Sequence, residues 1–117
     1  MKITGIDFTM YKVSDLKRSI EFYKDTLGLE LKSSGDVWAE LWAGNDALVL
    51  GAWEFDQSKA GGNVSLGLAV DDARAARAEL EKKGVKFDGD IWETPVCLGA
   101  TFFDPDGNKV ALHQHKK

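Results

Sequence analysis

An internal repeat is the sequence feature that most constrains the fold of this chain. Residues 13–15 and residues 70–72, which lie 57 positions apart, each end a β-prone segment and begin a helical pattern. The two helical patterns stop at Gly28 and Gly84, which keep that spacing to within one residue. Glycine is the usual residue just past a helix end. The repeat therefore predicts a duplicated supersecondary unit.

The first copy predicts a strand, a helix and three further strands. Residues 3–13 are rich in β-branched and aromatic side chains, and Ser14 or Asp15 can then cap a helix with apolar positions at three- and four-residue spacing. Extended patterns follow at residues 29–32, 37–42 and 47–53, with turn-forming residues between them. The unit is therefore βαβββ.

The second copy repeats this order. Residues 63–70 predict a strand, Asp71 or Asp72 a cap, and residues 73–83 an alanine-rich helix. Extended patterns follow at four places, which are residues 85–88, 91–94, 100–103 and 109–114. We predict one domain over residues 1–117, with module one at 1–54, a linker at 55–62 and module two at 63–117.

Two stretches, residues 6–31 and residues 101–114, together resemble the vicinal oxygen chelate superfamily of glyoxalases, extradiol dioxygenases and bleomycin-resistance proteins. The second stretch contains five consecutive turn formers at residues 104–108, between two extended patterns. The resemblance implies an α+β fold of two tandem βαβββ modules, whose cupped mixed sheets carry their helices outside. That superfamily includes both metal-dependent enzymes and metal-free binders, so function has to be argued from individual residues.

Charge and composition disfavour several classes of partner. The net charge of −4 and the pI of about 5.1 disfavour nucleic-acid binding, because phosphate contacts need clustered Lys and Arg. The sequence has no signal region and no apolar run that could span a bilayer, so we expect no membrane partner and a cytoplasmic location. The single cysteine, Cys97, agrees with a reducing compartment.

The resemblance also implies four metal-ligand places, on the first and last strand of each module, where metal-dependent members carry His or Glu. The first-strand places fall on Phe8 and Ser65, and the last-strand places fall on Leu50 and Ala111. None of these side chains is a usual metal ligand. We therefore expect no metal, no cofactor and no catalytic residue at these places.

Strand alternation predicts a mainly apolar lining for the cup. Alternate residues of a strand share one face, which gives the set Phe8, Met10, Leu48, Leu50, Ser65, Gly67, Ala69, Lys109, Ala111 and His113. Apolar walls with a few polar groups are typical of small-molecule pockets. The alternative is a cup filled by its own side chains.

The four tryptophans, Trp38, Trp42, Trp53 and Trp92, are the remaining candidates for ligand contact. Aromatic rings suit stacking on a flat ligand, although Trp is also an ordinary residue of a core or a dimer interface. Glu40, between Trp38 and Trp42, is a candidate acid that lies either in the pocket or in solvent. The predicted ligand-binding residues are Phe8, Met10, Trp38, Glu40, Trp42, Leu50, Trp53, Ser65, Trp92, Lys109, Ala111 and His113.

These observations lead to one hypothesis and two alternatives. The hypothesis is a metal-free, homodimeric protein that binds a small apolar or aromatic molecule and sequesters a compound such as an antibiotic. The first alternative is a glyoxalase- or dioxygenase-like lyase or oxidoreductase with a non-standard metal site, for example at His113 and Glu40. The second is a subunit whose cup has no ligand.

Overall fold

The computed structural model of the chain describes residues 1–2, 6–61 and 65–116. The chain divides into two compact units, Met1–Asp56 and Gln57–Lys117, and this division falls inside the predicted linker. Each unit contains one four-stranded sheet, so the predicted α+β class is confirmed. Residues 3–5 and 63–64 of the predicted first strands, together with Gly62 and Lys117, lie outside the described residues.

Module one has the predicted element order. Its elements are β1 (Phe8–Lys12), α1 (Leu16–Ile20), a π-helical continuation (Glu21–Thr26), β2 (Glu30–Ser34), β3 (Trp38–Ala43) and β4 (Asp46–Gly51). The order across the sheet is β1-β4-β3-β2, with β1 parallel to β4 and the other pairs antiparallel. The Asp15 side chain caps α1 by accepting the Arg18 N–H at 3.1 Å. Gly28, with a φ of 86°, follows the helical segment as predicted.

Module two repeats the arrangement. After a short 3-10 turn (Gln57–Lys59) come β5 (Ser65–Ala69), α2 (Ala73–Lys82), β6 (Phe87–Glu93), β7 (Cys97–Phe103) and β8 (Lys109–His115). The sheet order is β5-β8-β7-β6. As in module one, the first strand of the module in the chain, β5, is parallel to the last, β8. Asp72 caps α2 by accepting the Ala75 N–H at 3.0 Å, and Gly84 follows the helix with a φ of 90°. No helix among the described residues is long and apolar enough to cross a membrane.

One prediction about the strands of module two is wrong. Residues 85–88 and 91–94 were predicted as separate strands, whereas they contribute to the single strand β6. The register of β6 against β7 shifts between Asp88 and Trp92, and Gly89 within this interval has a φ of 75°. A glycine in a strand can mark such a bulge, so Gly89, in the gap between the two predicted strands, bends one strand.

Each sheet buries one face under its own helix. In module one, the helix-side face carries Tyr11, Ala39, Leu41, Leu48 and Leu50, which are all buried. In module two, it carries Leu98, Ala100, Phe102, Val110 and Leu112. Burying one Leu or Phe side chain contributes about 1.5–3 kcal/mol, so these two faces supply much of the folding free energy. The opposite face of each sheet is called its open face below.

The predicted turn at residues 104–108 joins β7 to β8 and is held from within. The carboxylate of Asp104, which is buried, accepts the backbone N–H groups of Asp106 at 2.9 Å and Asn108 at 2.8 Å. Its other oxygen accepts the Asn108 side-chain amide at 2.9 Å. This acidic turn therefore has a structural role.

Candidate functional site

The open face of module one is a grid of side chains set by the strand register. Residues paired across neighbouring strands point to the same side of a sheet. The rows run across β1, β4, β3 and β2 as Phe8, Ala47, Trp42 and Glu30; Met10, Val49, Glu40 and Ser33; and Lys12, Gly51 and Trp38. Phe8 is 53% exposed, Met10 40% and Trp38 38%, so this face presents large apolar side chains to solvent.

Trp53 joins this face although it follows β4. A Cβ atom on Gly51 would lie 2.7 Å from two atoms of the Trp53 ring, which shows that the ring packs directly on this glycine. Lys12 holds the same tryptophan: its Nζ lies 4.4 Å from the ring centroid and donates to the Trp53 carbonyl at 3.0 Å. The absence of a side chain at residue 51 thus leaves the space in which the Trp53 ring packs.

Glu40 lies in the middle row of this face. The indole Nε1 of Trp42 donates to Glu40 Oε2 at 2.6 Å, which fixes the orientation of both side chains. Lys32 Nζ lies 5.2 Å from the centroid of the Trp42 ring and forms an ion pair with Glu30 at 3.2 Å. The open face of module one therefore combines aromatic surface with one oriented carboxylate.

The open face of module two is built from smaller and more polar side chains. Its rows run across β5, β8, β7 and β6 as Ser65, Lys109 and Phe103; Gly67, Ala111, Thr101 and Asp88; and Ala69, His113, Gly99 and Trp92. The three residues that β5 contributes have almost no side chain. Phe103, His113 and Trp92 are the rings of this face, and its other positions offer space and hydrogen-bonding groups.

Trp92 is the large ring of this second face, and it too lies on a glycine. A Cβ atom on Gly99 would collide with the Trp92 ring. The Trp92 centroid lies 6.0 Å from that of His113, and its Nε1 donates to Thr101 Oγ1 at 3.4 Å. The His113 ring in turn makes an edge contact with His115 at 4.7 Å between centroids. His115 was not predicted, although its two-residue spacing from His113 was a signal for it.

The structure places eleven of the twelve predicted site residues on an open face. Module one contributes Phe8, Met10, Trp38, Glu40, Trp42 and Trp53, and module two contributes Ser65, Trp92, Lys109, Ala111 and His113. The face predicted for Leu48 and Leu50 is wrong. They are 3% and 0% exposed and lie on the helix side, where Leu50 pairs with Tyr11 and Ala39.

The wrong face predicted for Leu48 and Leu50 has a simple geometric cause. A continuous apolar run such as residues 47–50 does not reveal which alternate residues face the core. A shift of one residue moves every side chain of a strand to the opposite face. In β4 the predicted alternation was out of step by one, so the open-face residues are Ala47, Val49 and Gly51.

The same shift changes one of the four metal-ligand places. Ala111 lies opposite the residue two positions after Ser65, and the same relation in module one leads from Phe8 to Val49, not to Leu50. A phenyl ring, an isopropyl group, a hydroxyl and a methyl group do not make a ligand set for a divalent cation. Within residues 6–61 and 65–116, no three His, Cys, Asp or Glu side chains are arranged to hold a metal ion.

One carboxyl group with a lowered pKa, that of Glu93, lies away from the open faces. Lys116 Nζ lies 2.6 Å from Glu93 Oε2, and Arg74 lies 3.4 Å from the other oxygen of the same carboxylate. The hydrogen bond and the positive charge of Lys116 lower the pKa of Glu93, and Arg74 adds to this effect. Because Glu93 pairs with the buried Leu98, this cluster belongs to the helix side of module two.

Comparison with known protein families and curated sequences gives consistent matches. Residues 5–112 match the family described as the Glyoxalase/Bleomycin resistance protein/Dioxygenase superfamily. The chain is 32% identical over 112 residues to glutathione transferase FosA of Serratia marcescens. This match covers 86% of this chain and 74% of that protein. It is 29% identical over 118 residues to metallothiol transferase FosB of Staphylococcus epidermidis, with 97% and 83% covered.

Solved structures match over nearly the full length. TnmS3, an antibiotic binding protein from Streptomyces sp. CB03234, has a TM-score of 0.83 and 32% identity, with 99% of each chain covered. A putative glyoxalase family protein from Bacillus anthracis also has a TM-score of 0.83 at 20% identity, with 99% of this chain and 98% of that chain covered. The second match supports the fold alone.

Proposed function

The chain belongs to the glyoxalase/bleomycin resistance protein/dioxygenase superfamily, and from this premise we propose that it binds a small, largely apolar or aromatic molecule without a metal ion. The observation that carries the proposal is the open face of module one. Phe8, Met10, Trp38 and Trp53 are each at least 37% exposed there, although apolar side chains of this size are normally buried. Such a surface is suited to covering a flat organic ligand.

The energetics favour an aromatic ligand. Each ring pair contributes about 0.5–1.5 kcal/mol beyond the burial of apolar area. The Trp42 ring is hydrogen-bonded to Glu40 and the Trp53 ring lies against Lys12, so less side-chain entropy is lost when a ligand covers them. The antibiotic binding protein TnmS3, which is 32% identical over 99% of this chain, supports an antibiotic as the ligand. Sequestration of such a compound requires no covalent chemistry.

The residues at the four metal-ligand places support binding without a metal. Phe8, Val49, Ser65 and Ala111 supply one hydroxyl group among them, and a hydroxyl alone is a poor anchor for a divalent cation. We also propose that the two modules work as one domain over residues 1–117 and that the protein is a cytoplasmic homodimer. Neither proposal changes the chemistry expected of the open faces.

An enzymatic function is the second candidate, because two curated relatives are named as transferases and one of them as a metallothiol transferase. A lyase or oxidoreductase of the glyoxalase or dioxygenase type is the corresponding alternative within the superfamily. Either activity would need donors away from the four places, such as His113 and His115 on β8 or Glu40 on β3. This requirement makes the second candidate directly testable.

Metal content and native mass distinguish the two candidates. The protein would be expressed in medium supplemented with Fe, Zn, Ni and Mn, purified without chelator, and analysed by elemental and native mass spectrometry. We expect a dimer without stoichiometric metal. One metal per chain, lost in a His113→Ala variant but kept in a control Glu79→Gln variant, would overturn the metal-free proposal and call for transferase, glyoxalase and dioxygenase assays.

A thermal-shift screen tests whether the open faces bind any ligand. A ligand that binds only the folded state stabilises it by about 2.7 kcal/mol at a hundred times its dissociation constant. We expect stabilisation by planar aromatic compounds and by antibiotics that contain them. A library of such compounds without any stabilising member would favour a subunit with no ligand.

A further inference from the structure

Glu40 is unusual among the charged groups on the open face of module one. Lys12 donates to the Trp53 carbonyl, and Lys32 and Glu30 form an ion pair at 3.2 Å. Glu40 has no ion pair with any described residue, and its hydrogen bond from Trp42 at 2.6 Å occupies only Oε2. A carboxylate has about four acceptor positions. The second oxygen of Glu40, Oε1, therefore remains available to a ligand.

The surroundings of Glu40 strengthen whatever interaction that oxygen makes. Its neighbours across the sheet are Val49 and Ser33, and Trp38 and Trp42 lie two residues before and after it on the same face. A flat ligand that covers these side chains would exclude water from the carboxylate. Charge interactions become stronger as the local dielectric falls, and an unpaired carboxylate would then be costly.

The tryptophans of this face already accept cations. Lys12 Nζ lies 4.4 Å from the centroid of Trp53, and Lys32 Nζ lies 5.2 Å from that of Trp42. The negative face of an indole ring attracts positive charge, and Trp is the strongest side chain in this respect. The aromatic groups and the carboxylate of this face therefore favour the same sign of charge.

We propose that Glu40 determines ligand specificity by binding a protonated amine, so that the ligand is a planar aromatic cation. This inference rests on the proposed function, since it assigns a charge to the ligand of the same face. Trp42 is the positioning residue in this arrangement, because its indole N–H holds the carboxylate toward the ligand. In module two the position equivalent to Glu40 is Thr101, which has no carboxylate, so the selection is assigned to module one.

Three fluorescent probes of similar size test the proposal. Proflavine is a planar cation, acridone is its neutral counterpart, and anthracene-9-carboxylate is an anion. The wild-type protein should bind proflavine about tenfold more tightly than acridone and should bind the anion most weakly. Added sodium chloride should weaken proflavine binding and leave acridone binding unchanged, because only the charged pair is screened.

The Glu40→Gln variant separates charge from structure. Its amide oxygen can still accept the Trp42 N–H, so the fold and the acridone affinity should be retained, while proflavine affinity should fall about five- to tenfold. Glu79→Gln, on the exposed surface of α2, removes one negative charge away from the face and serves as the matched control. Equal proflavine affinity in both variants, or no salt dependence in the wild type, would overturn the role of Glu40.

The outcomes also separate this proposal from the proposed function. Binding of acridone and proflavine with equal affinity would leave an aromatic-binding face and remove the cation preference. Failure of all three probes to bind the wild-type protein would overturn the aromatic-binding function, and the role of Glu40 with it.

Discussion

The two modules share their framework and differ on their open faces. Asp15 and Asp72 cap the helices in the same way, Gly28 and Gly84 end them with nearly the same φ, and both sheets pair their first and last strands in parallel. On the open faces, in contrast, Phe8 and Met10 of β1 are replaced by Ser65 and Gly67 of β5. The repeat therefore retains what the fold requires, whereas the open faces are where the modules have diverged.

The divergence is also visible at the positions where ligands would be oriented. The register makes Glu40 equivalent to Thr101, and Gly51 equivalent to His113. Within the described strands, each module has one open-face glycine covered by a tryptophan, but in module one it lies on the last strand and in module two on β7. The two faces therefore have unrelated polar groups on equivalent backbones.

The largest expected effect is a loss of stability when the glycines covered by a tryptophan are replaced by alanine. A Cβ atom on Gly99 would collide with the Leu112 carbonyl oxygen, which cannot move without disturbing β8, as well as with Trp92. On Gly51 the obstacle is only the ring of Trp53, which is partly exposed and can move at the cost of its contact with Lys12. We expect Gly99→Ala to lower the free energy of unfolding by about 2–3 kcal/mol and Gly51→Ala by about 1 kcal/mol or less.

Urea unfolding measures both changes, with Gly67→Ala as the matched control. Gly67 is an open-face strand glycine whose added Cβ would meet no atom within 4 Å. This control should leave stability unchanged or raise it slightly. Equal losses for Gly99→Ala and Gly67→Ala would contradict the close packing described for module two.

The second prediction concerns ligand affinity and the tryptophans. Trp42→Ala and Trp53→Ala should each weaken binding of proflavine about tenfold, because each removes a stacking surface from module one. Trp92→Ala, in module two, should have a smaller effect if module one is the main aromatic platform. Fluorescence titration gives all three affinities, and an unchanged affinity would remove that tryptophan from the site.

The third prediction tests where the modules are alike. Asp15→Ala and Asp72→Ala each remove a carboxylate that accepts a backbone N–H at a helix start, which costs about 1 kcal/mol. We expect equal losses and one shared unfolding transition, as for a single domain. Asn replacements should recover most of the loss, since Asn caps a helix almost as well. Two separate transitions would mean that the modules unfold independently.

The smallest effect is a pH dependence confined to module two. Because Lys116 and Arg74 lower the pKa of Glu93 below its ordinary value of 4.5, the stabilising contribution is present above pH 4.5. It is lost as the pH falls from 4.5 through the lowered pKa, since protonation removes the ion pairs. Thermal unfolding between about pH 3 and pH 6 should therefore show a shallower acid-side decline in Glu93→Gln than in the wild type. Parallel curves would contradict this assignment.

Much of the framework could be predicted because it depends on local chemistry. Side-chain caps, glycines with positive φ and the turn at residues 104–108 are each encoded within a few residues. The family resemblance supplied two tandem modules with mixed sheets, whereas the order of the strands in each sheet came from the structure. The bulge in β6 was missed because Gly89 indicates a turn and a bulge equally well when only the sequence is known.

The candidate site was less predictable because it depends on register. Leu50 and Val49 are both apolar and neighbouring, and only their partners on β1 and β3 decide which of them is buried. The tryptophans were recognised as candidates, but their packing on glycines was not, because Gly51 and Gly99 carry no sign of what covers them. The pairing of Glu40 with Trp42 was likewise visible only in three dimensions.

The parallel pairing of β1 with β4 has a consequence for synthesis on the ribosome. Lys12 and Asp46 are 34 positions apart, so at ordinary translation speeds about 2–7 seconds pass between the synthesis of β1 and that of β4, its partner among the described strands. During this interval Phe8 and Met10 are part of an unpaired strand that a chaperone or a neighbouring nascent chain could bind. In module two, β5 ends 40 positions before β8 begins and is unpaired for slightly longer, but Ser65, Gly67 and Ala69 offer far less apolar surface. Module one is therefore the half that depends more on protection as the protein is made.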